Sequence, residues 1–323
     1  MSPTEYGQLK DAARDLWVGH DDLRGQPPVL LPATRTATAT VLRGWRGWCR
    51  GVDVSDQEWP DVPDVLGQGI AHNARVWNYW LGGKDNYAVD RQVGEHVTRM
   101  YPAIGEVARA DRQFLSRAVT YLAGEAGIRQ FLDIGTGLPT AENTHEVAQR
   151  AAPDVRVVYV DNDPVVLTHA RALLADAGNG GTAFVDADAR DPLAILRAAA
   201  ETLDFTRPVA VMMLGILNFV LDTDEAQSVV DHLLDAVPAG SHLVATHPTL
   251  ELGGEANADA MRFWNENATP PIVARSREEF ARFFGRLEMV EPGLVSCAHW
   301  RSGAVNGSAP ETVAQFGAVA RKP

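Results

Sequence analysis

Three acidic residues, Asp133, Asp161 and Asp188, each stand at the end of an apolar run. The first lies in "FLDIGTGLPT" (131–140), the second closes "VRVVYVD" (155–161), and the third follows "AFVDA" (183–187). Short apolar runs bounded by Gly, Pro and Asp read as buried strands, so the three carboxylates are expected at successive strand ends along one sheet edge. Open α/β sheets bind ligands at that edge. An acid at the tip of the second strand is placed to accept from both hydroxyls of a ribose, and Asp188 to hold an adenine amino group. Gly135 and Gly137 make a turn free of Cβ, where a ligand can lie against bare backbone while the N–H groups of a helix starting near Pro139 point at it. A dinucleotide fingerprint would have a third Gly where Thr140 stands and an apolar residue where Asp133 stands. A carboxylate at 133 suits a ligand carrying an ammonium better than a pyrophosphate, and S-adenosylmethionine carries one.

The stretch "LGGKDNYAVDR" (81–91) supplies further candidates. Gly82 and Gly83 permit a hinge or a close approach. A cofactor carboxylate needs donors, so Arg75, Tyr79 and Lys84 are candidates to close over it; Arg75 and Arg91 suit a salt-linked helix face equally well. Lysines occur only at 10, 84 and 322, which singles out Lys84. His247, in "ATHPT" at the end of a fifth strand, is the histidine expected nearest the substrate, although a lone strand-end His is more often a structural group. His145 and His169 read as structural. Phe263 and Trp264 either wall an apolar pocket or join the core. Cys49 and Cys297 have no close partner, and the nine histidines show no metal-ligand spacing, so neither a metal nor a disulfide is expected.

These residues need elements to hold them. Apolar runs near 130–134, 155–160, 182–186, 208–214 and 241–246 alternate with amphipathic segments, and "TVAQFGAVARKP" is a plausible last strand. That alternation predicts a parallel sheet covered on both faces. Asp163 and Asp191, each followed by Pro, read as helix caps, and Asp222 with Glu225 and Ser276 with Glu279 as capping boxes. Three segments follow: an N-terminal extension (1–68), a helical lid (69–125) and a ligand-binding domain (126–323). Within the extension Trp45 and Trp48 are three apart, and it either packs on the main domain or covers the substrate. The hydrophobic fraction of 46% is ordinary for a soluble protein. A net charge of −13 disfavours nucleic acid, whose phosphates reward clustered Lys and Arg. No run approaches the ~20 apolar residues of a membrane span, and the expected location is the cytoplasm. The expected partner is a small-molecule substrate, and a homodimer stays open.

With "ARVWNYWLGGKDNYAVDR" (74–91), "FLDIGTGLPT" (131–140), "VVYVDNDPVVLTHARALL" (157–174) and "DARDP" (188–192), the chain resembles the class I S-adenosylmethionine-dependent methyltransferases. More narrowly, it resembles an actinobacterial S-adenosyl methyltransferase family first catalogued as a domain of unknown function. The resemblance covers 69–323. It implies an α/β fold: a Rossmann-like, doubly wound, mostly parallel seven-stranded sheet with an N-terminal helical lid. It also implies Asp133, Gly135 and Gly137 at the methionine end, Asp161 at the ribose and Asp188 at the adenine, with Asn162 and Ala189 among the cofactor-binding residues. Asn218, in "MMLGILNFV", stands where members commonly carry His beside the substrate, so Asn218, His247 and Tyr79 are the candidate catalytic groups. The implied reaction is methyl transfer to a small molecule, in secondary metabolism. Two alternatives keep the cofactor: reaction on its amino acid side with release of methylthioadenosine, motivated by Asn218 and the extension, and a regulator without turnover. An NAD-linked dehydrogenase is disfavoured by Asp133 and the missing third glycine.

Overall fold

The computed structural model describes residues 69–139, 142–169, 181–303 and 309–323. The expectations for the extension 1–68, for Trp45 and Trp48, and for Thr140 lie outside these residues. The described chain opens with β1 (Ala71–His72), α1 (Asn73–Trp80), α2 (Ala88–Met100) and α3 (Ile104–Gly124). It continues through β2 (Gln130–Ile134), α4 (Thr144–Ala151), β3 (Arg156–Asp161), β4 (Thr182–Asp186), α5 (Pro192–Ala199), β5 (Ala210–Leu214) and α6 (Thr223–Asp235). The last part comprises β6 (His242–Pro248), α7 (Gly254–Asn267), β7 (Ala268–Thr269), α8 (Arg277–Arg282), β8 (Glu288–Met289), β9 (Val295–Ser296) and β10 (Gln315–Arg321).

Strands β2 to β6 are mutually parallel in the spatial order β4-β3-β2-β5-β6, and β10 adds antiparallel to β6. The register pairs Ile134 with Val160 and Val160 with Val185, so the carboxyl ends of these strands share one edge. Chain order reverses between β2 and β5, which makes that point of the edge the crevice of a doubly wound sheet. Successive side chains face opposite ways. Phe131, Val157, Tyr159 and Met212 pack with α3 and α4, whereas Leu132, Ile134, Val158, Val160 and Met213 pack with α5, α6 and α8. Each such side chain contributes roughly 1.5–3 kcal/mol by leaving water.

The expected seven strands are six of five to seven residues, with two-residue strands β8 and β9 both pairing with β10 at the outer edge. Between β8 and β9 stands "VEPGL", where Pro292 offers no N–H to a ladder and Gly293 has φ +80°. The edge therefore breaks into pieces. A correction concerns α4, expected near Pro139. It begins at Thr144, because Asn143 and Glu146 form a reciprocal capping box there. Asp191 caps α5 as expected, and Ser276 with Glu279 forms a full box, while Asp222 caps α6 from its own side chain with no return bond from Glu225.

Above the edge, β1 pairs in parallel with β7, tying the entry to α1 to the exit of α7. Arg75 and Asp90 fasten this roof. The Asp90 carboxylate, fully buried, accepts from Arg75 Nε at 2.8 Å and from the backbone N–H groups of His72 and Tyr87 at 3.0 and 2.8 Å. Removing one partner of such a buried pair costs about 3–5 kcal/mol.

Candidate functional site

A cavity of about 700 Å3 lies between the strand ends and this roof, within the ~300–1,000 Å3 of small-molecule sites. Its floor begins at the glycine turn. Gly135 has φ +76° and Gly137 φ +63°, a region that side chains with a Cβ avoid. The two glycines differ in what surrounds them. A Cβ at Gly135 would lie 2.4 Å from Cδ1 of Ile216, whereas at Gly137 it would meet nothing within 4 Å. The bare backbone expected of both belongs to Gly137, and Gly135 makes room for Ile216.

Asp161 joins the second strand to this turn. Its Oδ2 accepts from the Gly137 N–H at 2.9 Å and its Oδ1 from the Asp163 N–H at 2.9 Å. A carboxylate has about four acceptor sites, so both oxygens keep capacity toward the cavity they line. Burial raises the Asp161 carboxyl above its ordinary range, with the Asp163 charge adding to it, against the backbone N–H groups of Asp163, Gly137 and Asn162. Asp133 is buried and accepts from Thr144 Oγ1 at 2.6 Å. Burial pushes its carboxyl up to about 6, the Thr144 hydroxyl and the Arg112 charge offsetting part of this and Asp161 adding to it. The start of α4 thus holds Asp133, in place of the ligand contact expected from its N–H groups. Asp188 is shared: Nη2 and Nε of Arg190 lie 2.6 and 2.9 Å from its oxygens and Asn162 Nδ2 3.3 Å, and the Arg190 contact leads in holding its carboxyl below the usual range. Ala189 and Asn162 line the same end of the cavity.

Asn218, on the 3-10 turn Leu217–Phe219 after β5, also lines the cavity. It is 5% exposed, and its Oδ1 is buried with no hydrogen-bond partner. The cavity therefore brings together Asp133, Gly135, Gly137, Asp161, Asn162, Asp188, Ala189 and Asn218. It does not include the other four expected residues. Arg75 is spent on Asp90 and the Ile70 carbonyl. Tyr79 packs on Gly94, where a Cβ would lie 2.7 Å from its ring. Lys84 is exposed. His247 is fully buried beneath the edge: Arg275 Nη1 can only donate, so Nε2 accepts from it at 2.8 Å and Nδ1 donates to the Pro248 carbonyl at 2.9 Å. Burial first, and then the Arg275 charge, lower its pKa to about 4. A neutral imidazole with both nitrogens engaged is a structural group.

Several lining residues carried no flag in the sequence. Arg112 comes from α3, donates from Nη2 to the Glu142 carbonyl at 2.8 Å, and brings a positive charge toward Asp133. Asp111 beside it is 8% exposed and accepts from Gln315 Nε2 at 2.6 Å. Its signal was available: Val107, Asp111 and Leu115 recur at four-residue spacing, which sets a carboxylate within an apolar helix stripe. On the helix side Trp77, Trp80 and Trp264 form a chain with centroids 5.9 and 6.2 Å apart. Trp264 thus walls the cavity as one expectation held, while Phe263 stacks on His96. Among the described residues no cluster of His, Cys, Asp and Glu suits a metal ion, and no helix is long and apolar enough to cross a membrane.

Residues 62–323 match the pattern of a family described as S-adenosyl methyltransferase. A DUF574 family protein from Streptomyces avermitilis is 45% identical, with a TM-score of 0.76 over 80% of this chain and 100% of that one. A candidate methyltransferase from Thermobifida fusca is 42% identical, with a TM-score of 0.74 over 82% of this chain and 99% of that one. No match emerges among curated proteins.

Proposed function

The chain belongs to the S-adenosyl methyltransferase family, and from that premise we propose that it methylates a small molecule held between the strand-end carboxylates and the tryptophan-lined roof. The observation that carries this reading is that both surfaces open into one cavity. The residues present fit the cofactor: the Gly137 Cβ position is open space, and the acids around it accept hydrogen bonds, which suits hydroxyl, amine and ammonium donors. Asp161 would take the ribose, Asp188 and Ala189 the adenine, and Asp133 the ammonium, while Arg112 supplies the positive charge a carboxylate needs. S-adenosylmethionine supplies a methyl group already activated on a sulfonium.

What remains for the chain is alignment and exclusion of water. Orienting two reactants can supply roughly 7–11 kcal/mol of the barrier. Here Trp80, Trp264 and Met261 line the cavity with apolar surface. The test is to incubate the protein with S-adenosylmethionine, alone and with candidate acceptors, and to identify the nucleoside product. S-adenosylhomocysteine formed only with an acceptor is expected. Methylthioadenosine formed without one would overturn methyl transfer and leave the fold and cofactor intact.

A further inference from the structure

The helix side of the cavity holds a further carboxylate. Asp111 sits in the middle of α3, on the stripe that also buries Val107, Phe114 and Leu115. Gln315, the first residue of β10, donates to it at 2.6 Å and also to Thr246 Oγ1 of β6 at 3.2 Å. The Thr246 hydroxyl, held by the same Gln315 amide, acts with Gln315 to oppose the effect of burial on the Asp111 carboxyl. Three elements that meet only in the folded sheet thus fix one acid, which together with Gln315 lines the cavity. Asn218 adds a second acceptor, its buried Oδ1 lacking a protein donor.

The walls around these acceptors are aromatic faces. The indole N–H of Trp80 is spent on the Gly94 carbonyl at 3.2 Å and that of Trp264 on the Pro270 carbonyl at 3.0 Å. Their rings therefore offer flat apolar surface without donors, which favours offset or edge contact with another ring. We infer that Asp111 is the proton acceptor of the reaction and that the acceptor substrate is a hydroxylated aromatic molecule, its ring against Trp80 and Trp264 and its hydroxyl on the Asp111 carboxylate. The inference rests on the methyl-transfer reading. In the step, the hydroxyl oxygen bonds to the methyl carbon, the carbon–sulfur bond breaks with its electron pair left on sulfur, and the hydroxyl proton passes to Asp111. The products are an aryl methyl ether, a neutral thioether and a carboxylic acid that returns its proton to water. A phenol needs such a base because the neutral hydroxyl is a weak nucleophile, whereas an amine attacks with a free electron pair and needs none. Burial raises the Asp111 carboxyl, with Thr246, Gln315 and the Arg112 charge opposing, which moves it toward the range of a useful base.

The titratable and charged groups facing Asp111 are Arg112 on its own helix and Cys297 from the segment after β9; Thr246 and Gln315 face it as polar groups. The experiment uses the full chain with phenol, catechol and 4-nitrophenol as probes, aniline and cyclohexanol as controls, and Asp111→Asn and Thr246→Val as variants. Binding of 4-nitrophenol to the wild type should bleach the yellow phenolate band, because phenolate and Asp111 must share one proton, and Asp111→Asn should leave the band unchanged. With phenol, kcat of Asp111→Asn should fall about 100-fold or more at unchanged cofactor affinity, and less with the more acidic 4-nitrophenol. Thr246→Val removes a hydroxyl that lowers the Asp111 carboxyl, so the acid limb of the kcat profile should move to higher pH; this arm stands even if Asp111→Asn does not fold. Undiminished phenol turnover by Asp111→Asn, an unmoved limb in Thr246→Val, or S-adenosylhomocysteine formed with the controls but with no phenol overturns the inference and spares the methyl-transfer reading. Failure to bind S-adenosylmethionine, or release of methylthioadenosine alone, overturns both.

Discussion

On the strand side of the cavity, the lining groups Asp133, Gly137 and Asp161 belong to two adjacent strands and the turn that follows the first. On the helix side, Trp80, Asp111, Trp264 and Gln315 come from α1, α3, α7 and β10. The first surface is backbone and short acids at the ends of a fully buried ladder, so its geometry is held by the sheet's hydrogen bonds. The second is large side chains on packed helices, where a substitution changes shape without touching that ladder. A cofactor common to a family needs the first kind of surface; discrimination among acceptors can be varied on the second.

Mutations should separate the two surfaces. The largest effect is expected from Gly137→Val: a branched Cβ in open cavity space at φ +63° should abolish S-adenosylmethionine binding, with a strain cost of about 1–3 kcal/mol seen in the melt. Normal binding by a folded Gly137→Val would make the turn merely structural. Its mirror image is Met261→Trp, which fills the helix side and should stop turnover while calorimetric cofactor affinity stays at the wild-type value. If both properties fall together, the two surfaces are not separable. Asp161→Ala should weaken cofactor binding about tenfold or more, since charge-assisted hydrogen bonds are worth ~1.5–3 kcal/mol and the Gly137 N–H also loses its acceptor. Unchanged affinity would withdraw the ribose assignment.

A gentler separation uses pH. The Asp133 carboxyl is raised to about 6 and the ammonium binds its ionised form, so affinity should be full above that pH and decline below it by roughly tenfold per pH unit. Asp133→Asn should bind weakly with a flat profile over the same range, and an equally sloped profile would assign the titration elsewhere. The smallest effect belongs to Lys84→Ala. Lys84 is exposed and outside the cavity, so cofactor affinity should not change and stability should stay within about 0.5 kcal/mol. A marked loss of affinity would return Lys84 to the site.

Much of the strand side was legible from residue order, because a short apolar run followed by Gly or Asp marks a strand and its end whatever packs above it. The runs expected at 130–134 and 182–186 are β2 and β4. Two of the expected residues that do not line the cavity share a cause. Arg75 and His247 look chemical in isolation, but their partners Asp90 and Arg275 lie 15 and 28 residues away. The start of α4 was misplaced because a Pro after glycines competed with the Asn143–Glu146 box, and the reciprocal pair prevailed.

By itself, the amino-acid order determined the alternation of strands and helices, the carboxylates at the strand ends and the glycine turn, all of which depend on neighbours in the chain and on the period of the strand. Only the tertiary structure decided which acids face the cavity and which are consumed. Asp90 and Asp111 each lie in a helix, yet Asp90 is saturated by Arg75 and two backbone N–H groups, while Asp111 lines the cavity. A side chain's chemistry is set by which partners have already satisfied it, and those partners come from elements that only the packing of helices on the sheet brings within hydrogen-bond reach.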